Sequence, residues 1–181
     1  MEWMNHKDMF RKHCMQRLKS LSTLKKYQKD KKIVARLYRY IVSQKVQSIL
    51  LYLPLSMEVN LYPLILQLRK EKKLVYVPFM EGESFRLVRY RLPLYQKKFA
   101  IKEPNDSKQY RQKKIDLAIV PMIGVDVSLR RVGFGKGMYD RFFEKEYQSI
   151  DTVVFVSREL CYCKEKITNN YDIRADMIIT T

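Results

Sequence analysis

The chain has 181 residues, of which 46% are hydrophobic and 12% aromatic. That is enough apolar side chain for one folded domain, residues 1–181, and too much for a disordered chain. No apolar run approaches the roughly 20 residues that cross a bilayer and Met1–Arg11 lacks a secretory pattern, so membrane, secreted and collagenous classes are excluded and a cytoplasmic monomer is expected. The net charge is +17, from 36 Lys and Arg against 19 Asp and Glu. The excess is uneven: residues 1–50 hold 13 basic and 3 acidic side chains, residues 51–114 hold 14 and 6, and residues 115–181 hold 9 and 10. Such a balance suits a polyanionic partner or a solvated lysine surface. Cys14, Cys161 and Cys163 make an odd count, and the spacing of the last two matches neither a C-x-x-C redox motif nor a paired zinc motif. Reduced thiols without a metal are expected.

Residues 3–21 and about 24–46 read as helices separated by Ser22-Thr23, a good N-cap pair. Ser48–Leu53 has the length of a buried strand and is stopped by Pro54. Leu61–Lys72 reads as a helix with Leu61, Leu64, Ile65 and Leu68 on one stripe. Leu74–Val77 is a strand ended by Pro78, and Phe85–Arg91 alternates apolar and basic residues like a half-exposed strand. Residues 93–114 look irregular. Asp116–Val120 is a buried strand, Met138–Glu146 a short helix, and Thr152–Val156 and Met177–Ile179 late strands. Short apolar strands alternating with helices indicate an α/β fold, a three-layer α/β/α sandwich on a mostly parallel sheet of Rossmann-like type.

Three of the five glycines fall within Gly133-Phe134-Gly135-Lys136-Gly137, just before a helix carrying Tyr139 and Asp140. Glycines let backbone amides approach a ligand, and amides at a helix start face an anion. Lys136 adds a point charge, Arg131 a planar fork, and Asp140 a carboxylate able to hold Mg²⁺ with the phosphates. The spacing is neither Walker A nor G-x-G-x-x-G, and a plain tight turn before a helix is the alternative. The first helix adds an independent sign. Its apolar arc of Met4, Phe10, Cys14, Met15, Leu18 and Leu21 contains Lys7 and Arg11, one turn apart. Cations on an inward face need compensation, from a bound anion, an ion pair or snorkelling. His6 and His13 fall on the outer side.

Pro121–Asp126 followed by Arg131-Val132-Gly133-Phe134-Gly135-Lys136-Gly137-Met138-Tyr139-Asp140 resembles the signature P-G-L-A-F-D-x-x-G-x-R-L-G-Y-G-x-G-Y-Y-D of the 5-formyltetrahydrofolate cyclo-ligase family. Lys7 and Arg11 match its N-terminal K-x-x-x-R, and Leu50–Leu53 followed by Glu58-Val59-Asn60-Leu61 its strand and E-V-x-T. Glu103-Pro104 matches its E-P, and Asp172 with Asp176 its D-x-x-x-D. Leu129 stands in place of a glycine, Met138 of the first paired tyrosine, and Leu61 of the threonine.

The resemblance implies ATP-dependent closure of 5-formyltetrahydrofolate, free or polyglutamylated, to 5,10-methenyltetrahydrofolate with Mg²⁺. It implies Lys7, Arg11, Arg131 and Lys136 as the charge-neutralising catalytic set. ATP would be held by these four with Gly133, Phe134, Gly135, Gly137, Met138 and Tyr139. Folate would meet Glu58, Leu53 and Tyr139, and the metal Asp140 and Asp172. Asp126 is expected to cap the signature loop, Glu103 to serve as a turn residue, and Asp176 to be structural. Two rivals stand beside this reading. One is a basic nucleic-acid-binding module using Tyr38, Tyr40, Tyr90 and Tyr95 as stacking rings. The other is an inactive folate- and nucleotide-binding protein.

Overall fold

The computed structural model describes residues 6–96, 102–104 and 114–181. Helix α1 (His6–Lys19) is followed by α2 (Thr23–Ser43), whose N-cap Ser22 accepts a hydrogen bond from the Lys25 amide at 3.3 Å. Then come β1 (Ser48–Leu50), α3 (Tyr62–Lys70), β2 (Leu74–Glu81) and β3 (Ser84–Arg89). The strands β4 (Leu94–Gln96) and β5 (Lys102–Pro104) precede β6 (Ile115–Pro121), β7 (Gly124–Asp126) and β8 (Arg131–Val132). Helix α4 (Met138–Glu146), β9 (Ile150–Val156), β10 (Tyr162–Cys163) and β11 (Met177–Ile179) complete the order.

Six strands form one sheet in the order β11-β9-β6-β1-β2-β3, parallel except for the β2–β3 hairpin at one edge. Alternate side chains leave opposite faces of a strand, and here both faces are covered. Ile49, Leu117, Ile119, Val154 and Val156 pack with Ile33, Leu37 and Ile41 of α2 and Leu64, Ile65 and Leu68 of α3. Leu50, Ala118, Val120, Val153 and Phe155 pack with Phe142 and Phe143 of α4. This explains why the strands read as continuous apolar runs. The expected three-layer α/β sandwich is therefore present, with all six strands read from the sequence in one sheet.

The structure departs from the sequence reading in five places. Pro78 does not end its strand: β2 runs on to Glu81, because past Tyr76 its partner is β3 rather than β1, and on such an edge a missing amide is tolerated. Gly124–Asp126 and Arg131–Val132 were not anticipated as strands, but they join β10 in a small sheet ordered β10-β7-β8. Three segments of two or three residues are too short to carry a periodic signal. Within the stretch read as irregular, β4 and β5 pair antiparallel, while residues 97–101 and 105–113 lie outside the described residues. Glu103 is a buried strand residue whose carboxylate accepts the Met80 amide at 2.9 Å, rather than a turn residue. Cys14 and Cys161 are joined in a disulfide, against the expectation of reduced thiols. Folding lays the inner side of α1 on the segment after β9 and brings these Cα atoms to 5.8 Å, within disulfide reach. Cys163 is the free cysteine. Among the described residues no helix is long and apolar enough to cross a membrane. Of the four tyrosines considered as stacking rings, Tyr38, Tyr40 and Tyr90 belong to the α2–α3 core and Tyr95 is exposed.

Candidate active site

The site is assembled at the carboxyl ends of β1, β6 and β9, where open parallel sheets hold their ligands. Helix α1 crosses onto the small sheet, with Phe10, Cys14 and Met15 packed against Ile123 and Cys161. The approach is close enough that a Cβ on Gly124 would lie 2.7 Å from the Phe10 ring. This docking turns Lys7 and Arg11 toward the glycine loop, 122 residues from Arg11 in sequence. Arg11 Nε donates to Gly133 O at 2.8 Å, and its guanidinium also pairs with Asp8. Lys7 Nζ lies 2.6 Å from Asp172 Oδ2. Gly135 and Gly137 have φ of 92° and 63°, values that side-chain-bearing residues adopt at a cost. They let the loop turn into α4 with its amides free of Cβ atoms.

Lys7, Arg11, Gly133, Gly135, Gly137, Asp140 and Asp172 line one cleft of about 430 Å³, within the range of small-ligand sites. The two carboxylates proposed for a metal thus share it. Asp140 accepts from Arg131 and from the Ile173 amide, both at 3.4 Å, while Asp172 accepts from Lys7 and from the Asn169 amide at 2.7 Å. Three residues missed by sequence reasoning, Arg141, Glu144 and Tyr171, also line the cleft. Arg141 bonds the carbonyls of Glu83 and Lys136, tying α4 and the loop to the β2–β3 turn. Its position one turn into α4 was the available clue.

Other expected residues sit around the cleft rather than in it. Arg131 is buried beneath the loop, donating to Pro121 O at 3.1 Å and to Asp140, with its guanidinium 5.0 Å from the Tyr139 ring centre. Phe134 turns its ring into the α1 cluster, and Met138 packs with the α4 core. Lys136 is exposed on the loop. Sequence spacing places such side chains near one another but does not say which way each points.

The second half of the site surrounds Glu58. Its carboxylate accepts from the Leu55 amide at 2.8 Å, closing the turn that carries it. Burial pushes Glu58 up to about 7, against the opposing pull of that hydrogen bond and of Arg131 and Arg158. Tyr139 is raised by burial and by Glu58, with Arg131 opposing. Tyr52 is raised well above the usual range by burial and then by Glu58. Leu53 is buried in the core that Tyr139 packs against. Tyr139 therefore lies between the glycine-loop side, through Arg131, and the Glu58 side.

Asp126 is structural, as expected. Buried completely, it accepts from the Ser128 and Thr168 amides and hydroxyls and from the Ile167 amide. Burial opposes its ionisation, but these hydrogen bonds prevail and hold it at about 2. Asp176 accepts from the Val153 amide at 2.8 Å. His6 and His13 are exposed.

A family model matches residues 3–181, nearly the whole chain, and it describes the 5-formyltetrahydrofolate cyclo-ligase family. The chain belongs to that family. A 5-formyltetrahydrofolate cyclo-ligase of Mycoplasma pneumoniae is 24% identical over 96% of this chain and 97% of its own length. One of Haemophilus influenzae is 25% identical over 83% and 82%. The solution structure of Aquifex aeolicus 5,10-methenyltetrahydrofolate synthetase superposes with a TM-score of 0.80 at 28% identity, covering 96% of this chain and 89% of that one.

Two departures from the family signature now have a physical reading. Leu129, in place of glycine, still adopts φ 57°, and its amide and carbonyl bond Asp126 O and the Ala175 amide at 2.9 and 3.2 Å. The surrounding ladder imposes the left-handed turn on a residue that disfavours it. Leu61 is fully buried in the core at the N-cap of α3, where it offers no side-chain cap. Asn60 accepts from the Tyr62 amide at 3.1 Å just before it.

Proposed function

We propose that the protein converts 5-formyltetrahydrofolate and ATP to 5,10-methenyltetrahydrofolate, ADP and phosphate. The observation that carries this reading is the convergence of Lys7 and Arg11 with the Gly133–Gly137 loop in one cleft, with Tyr139 standing between that loop and the Glu58 carboxylate. Triphosphate binds against the loop amides, Lys7, Arg11 and Lys136. The aminopyrimidinone edge of the pterin donates two hydrogen bonds to Glu58, which must be ionised to accept both. Tyr139 lines the join, with Leu53 behind it.

The formyl oxygen attacks the γ-phosphorus and the bond to the ADP oxygen breaks, giving an iminium phosphate and ADP. N10 then attacks the formyl carbon within the same molecule, a large gain in effective concentration. N10 loses its proton, the carbon–oxygen bond breaks, and phosphate departs. The protein contributes alignment and charge neutralisation rather than covalent chemistry. Arg131 acts from below the loop, holding Asp140 and the Tyr139 ring.

The donor set fits Mg²⁺, a hard cation that takes carboxylate and phosphate oxygens. Asp140 and Asp172 face one cleft, where Asp172 also pairs with Lys7. When bound, the ion would neutralise charge developing on the phosphates. The test is direct. Protein, Mg·ATP and 5-formyltetrahydrofolate are mixed, and the near-ultraviolet absorbance of the methenyl product is followed. Absence of ATP-dependent absorbance overturns the proposal.

A further inference from the structure

A buried ion pair stands next to the Glu58 turn and has no part in the mechanism above. Asp30 lies on the inner stripe of α2 with Ile33, Leu37 and Ile41. Its two carboxylate oxygens accept from Arg158 Nε at 2.7 Å and NH2 at 2.8 Å. Arg158, two residues beyond β9, is only 5% exposed. Its remaining fork nitrogen donates to Ser56 O at 3.1 Å, inside the turn that the Glu58 amide closes on Leu55 O at 3.0 Å. The Arg158 carbonyl accepts from the Thr181 hydroxyl at 2.8 Å. Three segments distant from it in sequence therefore meet at Arg158, α2 and the Ser56 turn at its guanidinium and Thr181 at its carbonyl.

Burying two charges is expensive, and an apolar pair of similar volume often holds a core as well or better. What the ion pair adds is direction: Asp30 locks the guanidinium plane, and the third donor is aimed at the turn. We infer that Arg158, oriented by Asp30, is a positioning residue for the folate site. It fixes the Leu55–Glu58 turn and supplies positive charge facing the Glu58 carboxylate. The inference rests on the reading that Glu58 receives the pterin.

The groups facing Glu58 are few. Arg131 below the loop and Arg158 favour its ionisation, Tyr139 of α4 and Tyr52 beyond β1 face it as neutral phenols, and the Asp30 charge is spent on Arg158. Loss of the Arg158 charge removes one of the two described cations that favour Glu58 ionisation, so Glu58 should ionise at higher pH.

The test is steady-state kinetics with Mg·ATP and 5-formyltetrahydrofolate from about pH 5.5 to 8.5. The proteins are wild type, Arg158→Lys, Arg158→Gln and the double variant Asp30→Asn/Arg158→Gln. Arg158→Lys keeps the charge but loses the fork, so KM for the folate should rise about tenfold with KM for ATP within about twofold, and the acid limb of kcat/KM should stay in place. Arg158→Gln should raise the folate KM likewise and move that limb up by at least about 0.5 pH unit. The double variant leaves no uncompensated buried charge and should reproduce the Arg158→Gln result if the single variant folds poorly. Equal changes in KM for both substrates, or an unmoved acid limb in the charge-free variants, overturn the inference. Wild type without turnover would instead overturn the functional reading.

Discussion

Glu58→Gln should stabilise the ligand-free protein above neutral pH while impairing turnover. Burial moves Glu58 from the ordinary value of 4.5 to about 7, whereas in the unfolded chain it titrates near the ordinary value. The folded state thus keeps a proton that the unfolded state has released. The associated stability is fully present below about pH 4.5 and is lost as pH rises through about 7. A gap of about 2.5 pH units, at roughly 1.4 kcal/mol each, is on the order of 3 kcal/mol. That is a large share of the 5–15 kcal/mol by which domains are typically stable. Glutamine has the same shape and no charge, so its stability curve lacks this slope. Urea denaturation followed by circular dichroism at pH 5, 6, 7 and 8 reads the difference. The advantage of Glu58→Gln should widen by about 2 kcal/mol between pH 5 and pH 8. A constant difference across that range, or a wild type that is the more stable at pH 8, would refute the reasoning.

Lys136→Ala and Asp140→Asn should each lower turnover about 100- to 1,000-fold, the usual cost of removing one transition-state charge contact. Lys136 is exposed, so its variant should keep its stability within about 0.5 kcal/mol, and near-normal turnover in either variant would remove that residue from the mechanism. Arg11→Ala should shrink the thermal shift produced by Mg·ATP more than that produced by the folate, because Arg11 joins α1 to the glycine loop; equal shrinkage contradicts the assignment. Lys7→Ala should do the same and also destabilise the protein by about 3–5 kcal/mol, since it leaves the buried Asp172 carboxylate without its cation. Asp126→Asn should abolish an acid-unfolding component. Wild-type Asp126, held at about 2 against an ordinary 3.8, contributes about 2 kcal/mol that is present above pH 4 and lost as pH falls toward 2. An acid-unfolding midpoint unchanged by the substitution would count against its caps.

The layered fold was legible in the chain because its evidence is local. Apolar runs such as Leu117–Val120 and Val153–Val156 and the stripe Leu64-Ile65-Leu68 report burial wherever their partners lie. The glycine-loop half of the candidate site was legible for a related reason. Clustered glycines before a helix, and Lys7 and Arg11 inside an apolar arc, are each odd within a few residues, and the odd feature marks the place. Asp30 carried the same kind of sign, a carboxylate on the Ile33-Leu37-Ile41 stripe, but its partner Arg158 is 128 residues away. Nothing short of the folded chain pairs them. The disulfide between Cys14 and Cys161, the burial of Arg131 under the loop instead of the phosphate contact expected of it, and the turn of the Phe134 ring into the α1 cluster share that character. Periodicity is a property of one segment, so the sequence alone carries it. Which side chains meet depends on how segments pack, and the displaced titration of Glu58 follows from that packing alone: the same carboxyl in an open turn would titrate like any other glutamate.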